Sequence, residues 1–133
     1  MRRASAALVL ATLATAGALP PAQAADLAHL RAMAGQYTDV VMADAALESE
    51  LRGLLGDGYA SFAEDMQVVF PSELVDGHVL VATGCRAHDC GAHGGMILVD
   101  VDTGTVQVLQ MARGISGIAL TPGVQGALAT WMQ

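Results

Sequence analysis

A chain of 133 residues and 13.6 kDa fits one compact domain and leaves no room for a second core. Six arginines and no lysine stand against 13 Asp and Glu, a net charge of -7, which excludes the basic footprint of a nucleic-acid binder. With 53% apolar and 14% charged residues the sequence is no disordered segment, yet 4% aromatics require a core built from Ala, Val, Leu and Met.

Met1 to Ala24 reads as a secretory signal peptide. Arg2 and Arg3 form the charged start, Ala4 to Leu19 the apolar run, Pro20 and Pro21 the helix break, and Ala22-Gln23-Ala24 the small-x-small cleavage site. The run is shorter than the roughly 20 apolar residues of a membrane span, so removal rather than anchoring is expected. No Cys follows the junction to carry a lipid. Cleavage leaves four arginines against 13 acids, a charge of -9 on a mature domain from residue 25 to 133. Such a body is expected to attract a basic partner and to repel nucleic acids and anionic membranes.

In the mature chain, a first helical piece follows Asp26, with Leu27, Leu30 and Ala34 on one face. Asp44 then caps a clearer helix in which Leu47, Leu51, Leu54 and Leu55 keep the helical period and Glu48 and Arg52 stand four apart. Gly56-Asp57-Gly58 stops it, and Tyr59, Phe62 and Met66 predict a short third helix. The period changes at Val68 to Val75, followed by Asp76-Gly77 and Val79 to Ala82, a hairpin signal with Pro71 implying an edge or bulge. After a loop from Gly84 to Gly95 come Met96 to Val101, the turn Asp102-Thr103-Gly104, and Val106 to Met111. A last helix is expected at Thr121 and Pro122, with Val124, Leu128 and Trp131 on one face. Helices, an antiparallel meander of hairpins and a helix make a single α+β domain.

Most polar residues have plain structural readings. Glu48, Glu50, Glu64 and Asp65 offer paired carboxylates, but their spacing fits a solvated helix face. Asp100 to Gly104 is a hairpin turn, since its glycine is misplaced for a calcium loop and Met111 stands where the bidentate Glu belongs. His29 and His78 are isolated and expected to be exposed. Ser61, Ser72 and Ser116 lack nucleophile-elbow glycines, so no hydrolase signature is present.

The informative segment is Gly84-Cys85-Arg86-Ala87-His88-Asp89-Cys90-Gly91, which holds both cysteines of the chain. In an exported protein they are expected to be oxidised. A bridge between them would bend Arg86 to Asp89 into an exposed knuckle with His88 near its tip, and Gly84, Gly91, Gly94 and Gly95 would permit the sharp entry and exit. Three readings compete: a structural staple, a metal or thiol-redox site from Cys85, His88, Cys90 and His93, and a rigid recognition loop.

Cys85, His88, Asp89 and Cys90 match four of the six positions of a loop usually written Cys-Lys-Pro-His-Asp-Cys, with Arg86 in place of Lys and Ala87 in place of Pro. The segment thereby resembles the signature loop of the inhibitor of vertebrate lysozyme (Ivy) family. Leu54-Leu55-Gly56, Tyr59, Phe62, Val75-Asp76-Gly77, Gly84 and Gly91 are similar to family sequences, so the likeness covers about Leu47 to Gln110. It implies a central antiparallel sheet flanked by helices, a periplasmic location, no enzymatic activity, no cofactor and no metal. The implied partner is a c-type lysozyme or a self-made lytic transglycosylase, with monomer and homodimer both open. It implies an inhibitory loop of Cys85, Arg86, Ala87, His88, Asp89 and Cys90 that enters the glycosidase cleft. There His88 would meet the catalytic carboxylates, and Asp89 would orient its ring.

Overall fold

Residues 25–111 are described by a computed structural model and have the α+β arrangement predicted above, helices followed by an antiparallel sheet of five strands. The leader, Met1 to Ala24, and the helix expected from Thr121 lie outside the described residues. Among the described residues, no helix is long and apolar enough to cross a membrane.

The first helical piece is a 3-10 helix, Ala28–Met33, which buries Leu27 and Leu30 but leaves Ala34 exposed. A short helix α1, Thr38–Met42, follows where the sequence reading placed none. Its Thr38 is fully buried because its hydroxyl donates toward the carbonyls of Phe70 and Thr83, which ties the helix to the sheet edge. Helix α2, Ala45–Leu55, starts as expected: the Asp44 carboxylate accepts the Leu47 amide at 3.0 Å. Leu47 and Leu51 are fully buried, and Arg52 reaches Glu48 at 2.9 Å along the solvent side. Leu54 shares their helical phase yet is 56% exposed. It sits in the last turn, where phase no longer guarantees cover. A single 3-10 turn, Gly56–Gly58, leads into α3, Tyr59–Glu64, which buries Phe62 and, just beyond its end, Met66.

The strands are β1 (Val68–Val69), β2 (Glu73–Val75), β3 (Val79–Cys85), β4 (Gly94–Asp100) and β5 (Thr105–Gln110). β3, β4 and β5 are successive antiparallel neighbours, while β1 and β2 share the other edge of β3, β1 beside Gly84 and Cys85 and β2 beside Val79 to Val81. Pro71 interrupts that edge, as its missing N–H requires. Asp76 and Gly77 turn the β2–β3 hairpin with φ of 54° and 76°, the left-handed pair of a type I′ turn.

Alternation along the strands divides the core. Leu80, Ala82, Ile97 and Val99 pack with Leu47, Leu51 and Phe62 on the helix side, whereas Val79, Val81, Met96, Leu98 and Leu109 form a second buried cluster. Burial on both faces explains why β3 and β4 read as apolar runs rather than alternations.

The loop predicted from Gly84 to Gly95 is shorter than expected. Gly84 pairs with Gly95 and Cys85 with Gly94, so the free connection is residues 86–93. These glycines serve close approach, not turning. A Cβ on Gly95 would lie 2.6 Å from Phe62 Cε2 and 2.7 Å from Met66 Sδ, and one on Gly84 would lie 3.0 Å from the Val68 carbonyl oxygen. The end of α3 is therefore pressed directly onto the base of the loop.

Candidate functional site at one end of the sheet

Cys85, the last residue of β3, and Cys90, inside the β3–β4 connection, form a disulfide with their Cα atoms 4.9 Å apart. Both sulfurs are thus joined, and while the bridge stands neither is a thiolate ligand for the metal reading of Cys85, His88, Cys90 and His93. The Asp89 amide donates to the Arg86 carbonyl at 3.0 Å, and the Ala92 and His93 amides donate to the Asp89 carbonyl at 3.1 and 2.9 Å. At the neck the Arg86 amide donates to the His93 carbonyl at 2.9 Å. Arg86 and Ala87 are half-buried; His88, Asp89 and Cys90 are exposed.

The sharp turn inside the ring is made by His88 itself, at φ of 65°. The glycines expected to supply it, Gly84, Gly91, Gly94 and Gly95, are not in the left-handed region. A left-handed non-glycine residue is uncommon, and such positions concentrate at binding and catalytic sites. The ring and its neck over-determine this one.

Below the loop lies a residue that the sequence reading placed on a solvated face. Asp65, directly after α3, is 1% exposed. One carboxylate oxygen, Oδ1, accepts Arg86 Nε at 3.0 Å and Nη2 at 2.9 Å; the other, Oδ2, accepts Gln110 Nε2 at 2.7 Å from β5. His93 Nδ1 stands 3.8 Å from the same Oδ1. A buried carboxylate is tolerated only when paired and hydrogen-bonded, and here both conditions hold. Two residues on, Gln67 Oε1 accepts the Ala87 amide at 3.3 Å.

The signal for Asp65 was present in the sequence: it is three residues past Phe62 and adjacent to Met66, so the period that buries those two also turns Asp65 inward. Gln67 and Gln110 carried no comparable signal. The structure also corrects the role expected of Asp89. Its carboxylate faces His93 Nε2 at 3.5 Å across the loop, and among the described residues no hydrogen bond or ion pair joins it to His88.

At the opposite end, His29 and His78 are not isolated as expected. His29 Nε2 meets Asp44 Oδ2 at 2.7 Å, and His78 Nδ1 meets Asp100 Oδ2 at 3.2 Å. Partial burial would raise the Asp44 carboxyl, but the Leu47 amide and then His29 outweigh it and hold it below its ordinary value. Asp100 is likewise lowered, with burial opposed by the Thr103 and Asp102 amides and then by His78. Donor atoms of His78, Asp100 and Asp102 lie within 4.8 Å of one another. The positive charge at this cluster comes from Arg31, whose Nη2 is 2.6 Å from Asp102 Oδ1 and whose Nη1 donates to the Gly77 carbonyl. These contacts close two hairpin turns.

The fold and this site define a class: a small α+β domain whose distinctive exposed feature is a disulfide-closed loop seated on a buried acid. Residues 46–131 match the family described as Inhibitor of vertebrate lysozyme (Ivy), and the chain belongs to that family. The family consists of inhibitors, not enzymes, and its target is lysozyme. The match extends past Gln110, where the resemblance read from the sequence stopped. Comparison with curated proteins and with solved structures gives no match.

Proposed function

We propose that this protein is an exported inhibitor of a c-type lysozyme and that the 85–90 loop enters the enzyme's active-site cleft. The observation that carries the reading is His88, exposed and left-handed at the tip of a ring closed by Cys85 and Cys90. A retaining glycosidase holds two carboxyl groups about 5 Å apart. An imidazole between them can hydrogen-bond to both and occupy the position of the scissile sugar linkage. Because the ring is ordered before contact, little conformational entropy is lost on docking. The acidic body hastens encounter with a basic lysozyme, more so after removal of residues 1–24 in the periplasm, where the inhibitor would protect peptidoglycan.

The test is a lysozyme activity assay with the mature protein, run beside a lytic transglycosylase to distinguish the two targets. Replacing His88 with Ala removes a hydrogen bond to a charged group, expected to cost about 1.5–3 kcal/mol, or roughly ten- to hundredfold in inhibition. His88→Asn is the sharper variant, since Asn tolerates the left-handed backbone and so removes the imidazole while keeping the turn. Full lysozyme activity at micromolar wild-type protein rejects the function. Equal inhibition by wild type and both variants rejects the role of His88.

A further inference from the structure

We infer that Asp65 and Gln67, on the connector between α3 and β1, are positioning residues for the inhibitory loop, fixing the direction in which His88 is presented; this rests on the function proposed above. The disulfide closes the ring but does not set its tilt against the sheet. The neck above the Cys85–Gly94 pair is closed by the Arg86 amide to the His93 carbonyl, and the Ala92 and His93 amides to the Asp89 carbonyl join the ring to its own return segment. None of these backbone links ties the ring to the connector between α3 and β1. Asp65 takes the Arg86 side chain through two N–H groups, and Gln67 takes the amide of the next residue, Ala87. Two points on consecutive loop residues define a direction.

The two anchors differ in kind. Asp65 is almost fully buried and braced from β5 by Gln110, so letting go of Arg86 would strand a carboxylate out of water, which keeps the grip closed. Gln67 is exposed, and its bond depends on residue 87 having an N–H, which Ala supplies and a proline would not. The Asp65 grip thus carries the strength and the Gln67 bond the fine setting. A purely structural salt bridge would need only the first.

The experiment measures inhibition of a c-type lysozyme by Gln67→Ala and Asp65→Asn, each with His88 intact and with His88→Ala, together with amide exchange at Ala87 in the free protein. Gln67→Ala, at an exposed site, is expected to fold as wild type, speed Ala87 exchange and weaken inhibition about two- to tenfold. Asp65→Asn is expected to weaken it more and to lower the Tm. Both losses should shrink once the imidazole is gone, because the anchors act through it. Losses of equal size with and without the imidazole overturn the proposal, as does unchanged inhibition by Gln67→Ala despite faster Ala87 exchange. If the wild-type protein inhibits nothing, the proposed function fails; the anchors are then judged on exchange, and unchanged Ala87 exchange in both variants overturns them.

Discussion

The two ends of the sheet are built by opposite means. At one end, the turns after β2 and β4 are set by their own residues: Asp76 and Gly77 in left-handed conformations, and Asp100 Oδ1 accepting the Asp102 and Thr103 amides at 3.0 and 3.1 Å. Their further ties are ion pairs near the surface, Arg31 with Asp102 and His78 with Asp100. At the other end, residues 86–93 are held by groups far away in sequence, Asp65, Gln67 and Gln110, and by a disulfide. A turn that only reverses the chain can be specified locally. A loop that must present one side chain in one direction needs support from the core beneath it.

The difference predicts different modes of failure. Gly95→Val places methyl groups where Phe62 and Met66 already stand, so the loop end should fail for lack of space. The expected loss is roughly 3 kcal/mol, the upper part of the overpacking range, or a Tm lower by about 15 °C. A melt within a few degrees of wild type would show that α3 yields and that the loop base is not rigid. Next in size, replacing Cys85 and Cys90 together with Ser should cost about 2 kcal/mol by the chain-entropy estimate for so short a ring. Inhibition should fall further than stability, because preorganisation is lost as well. Non-reducing peptide mapping of the wild type must first find the bridged peptide, and a doubly substituted protein that inhibits as well as wild type would assign the loop's order to the side-chain anchors alone.

What could be read from the sequence follows the same division. The Asp44 cap, the Asp76-Gly77 hairpin, the interruption at Pro71 and the turn before β5 were legible because each is a short-range rule acting on adjacent residues. The loop was legible as chemistry, in Cys85, His88 and Cys90, but not as architecture. Its glycines read as flexible entry points, whereas Gly84 and Gly95 pair in the ladder and admit α3. The ring's left-handed residue is His88, and no local pattern marks a histidine for that conformation. The general habit of carboxylates points Asp65 to solvent, against a helical phase that points it inward. Its partners Arg86 and Gln110 are brought beside it only when the sheet forms, so no spacing rule reveals them.

Gly77→Ala tests the locally specified end. Nothing lies within 4 Å of the added Cβ, so the effect comes from the backbone alone, which stands at φ of 76°. An L side chain in that region costs about 1 kcal/mol, and the Tm should fall by about 5 °C while lysozyme inhibition stays at the wild-type value. A loss of inhibition without further loss of stability would mean that the two ends are coupled through β3, and the contrast between them would fail.

The smallest effect is expected from Asp100→Asn, and its pH dependence is the useful part. The Asp100 carboxyl is held below its ordinary value, so the folded state binds its proton less readily than the unfolded chain. Stability from this group is therefore fully present above the unfolded value, near pH 4, and is lost as pH falls through the lower folded value. Asn keeps the side-chain oxygen that accepts the Asp102 and Thr103 amides but not the charge that faces His78. At pH 7 the variant should be less stable by under about 1 kcal/mol, as for other partly exposed ion pairs. Once the pH has fallen below the lowered folded value, so that the wild-type carboxyl is protonated too, the difference should close. Thermal melts of both proteins from pH 7 downward measure the gap. A gap that stays constant over the whole range would show that Asp100 acts through hydrogen bonds alone and that charge plays no part in closing this end of the sheet.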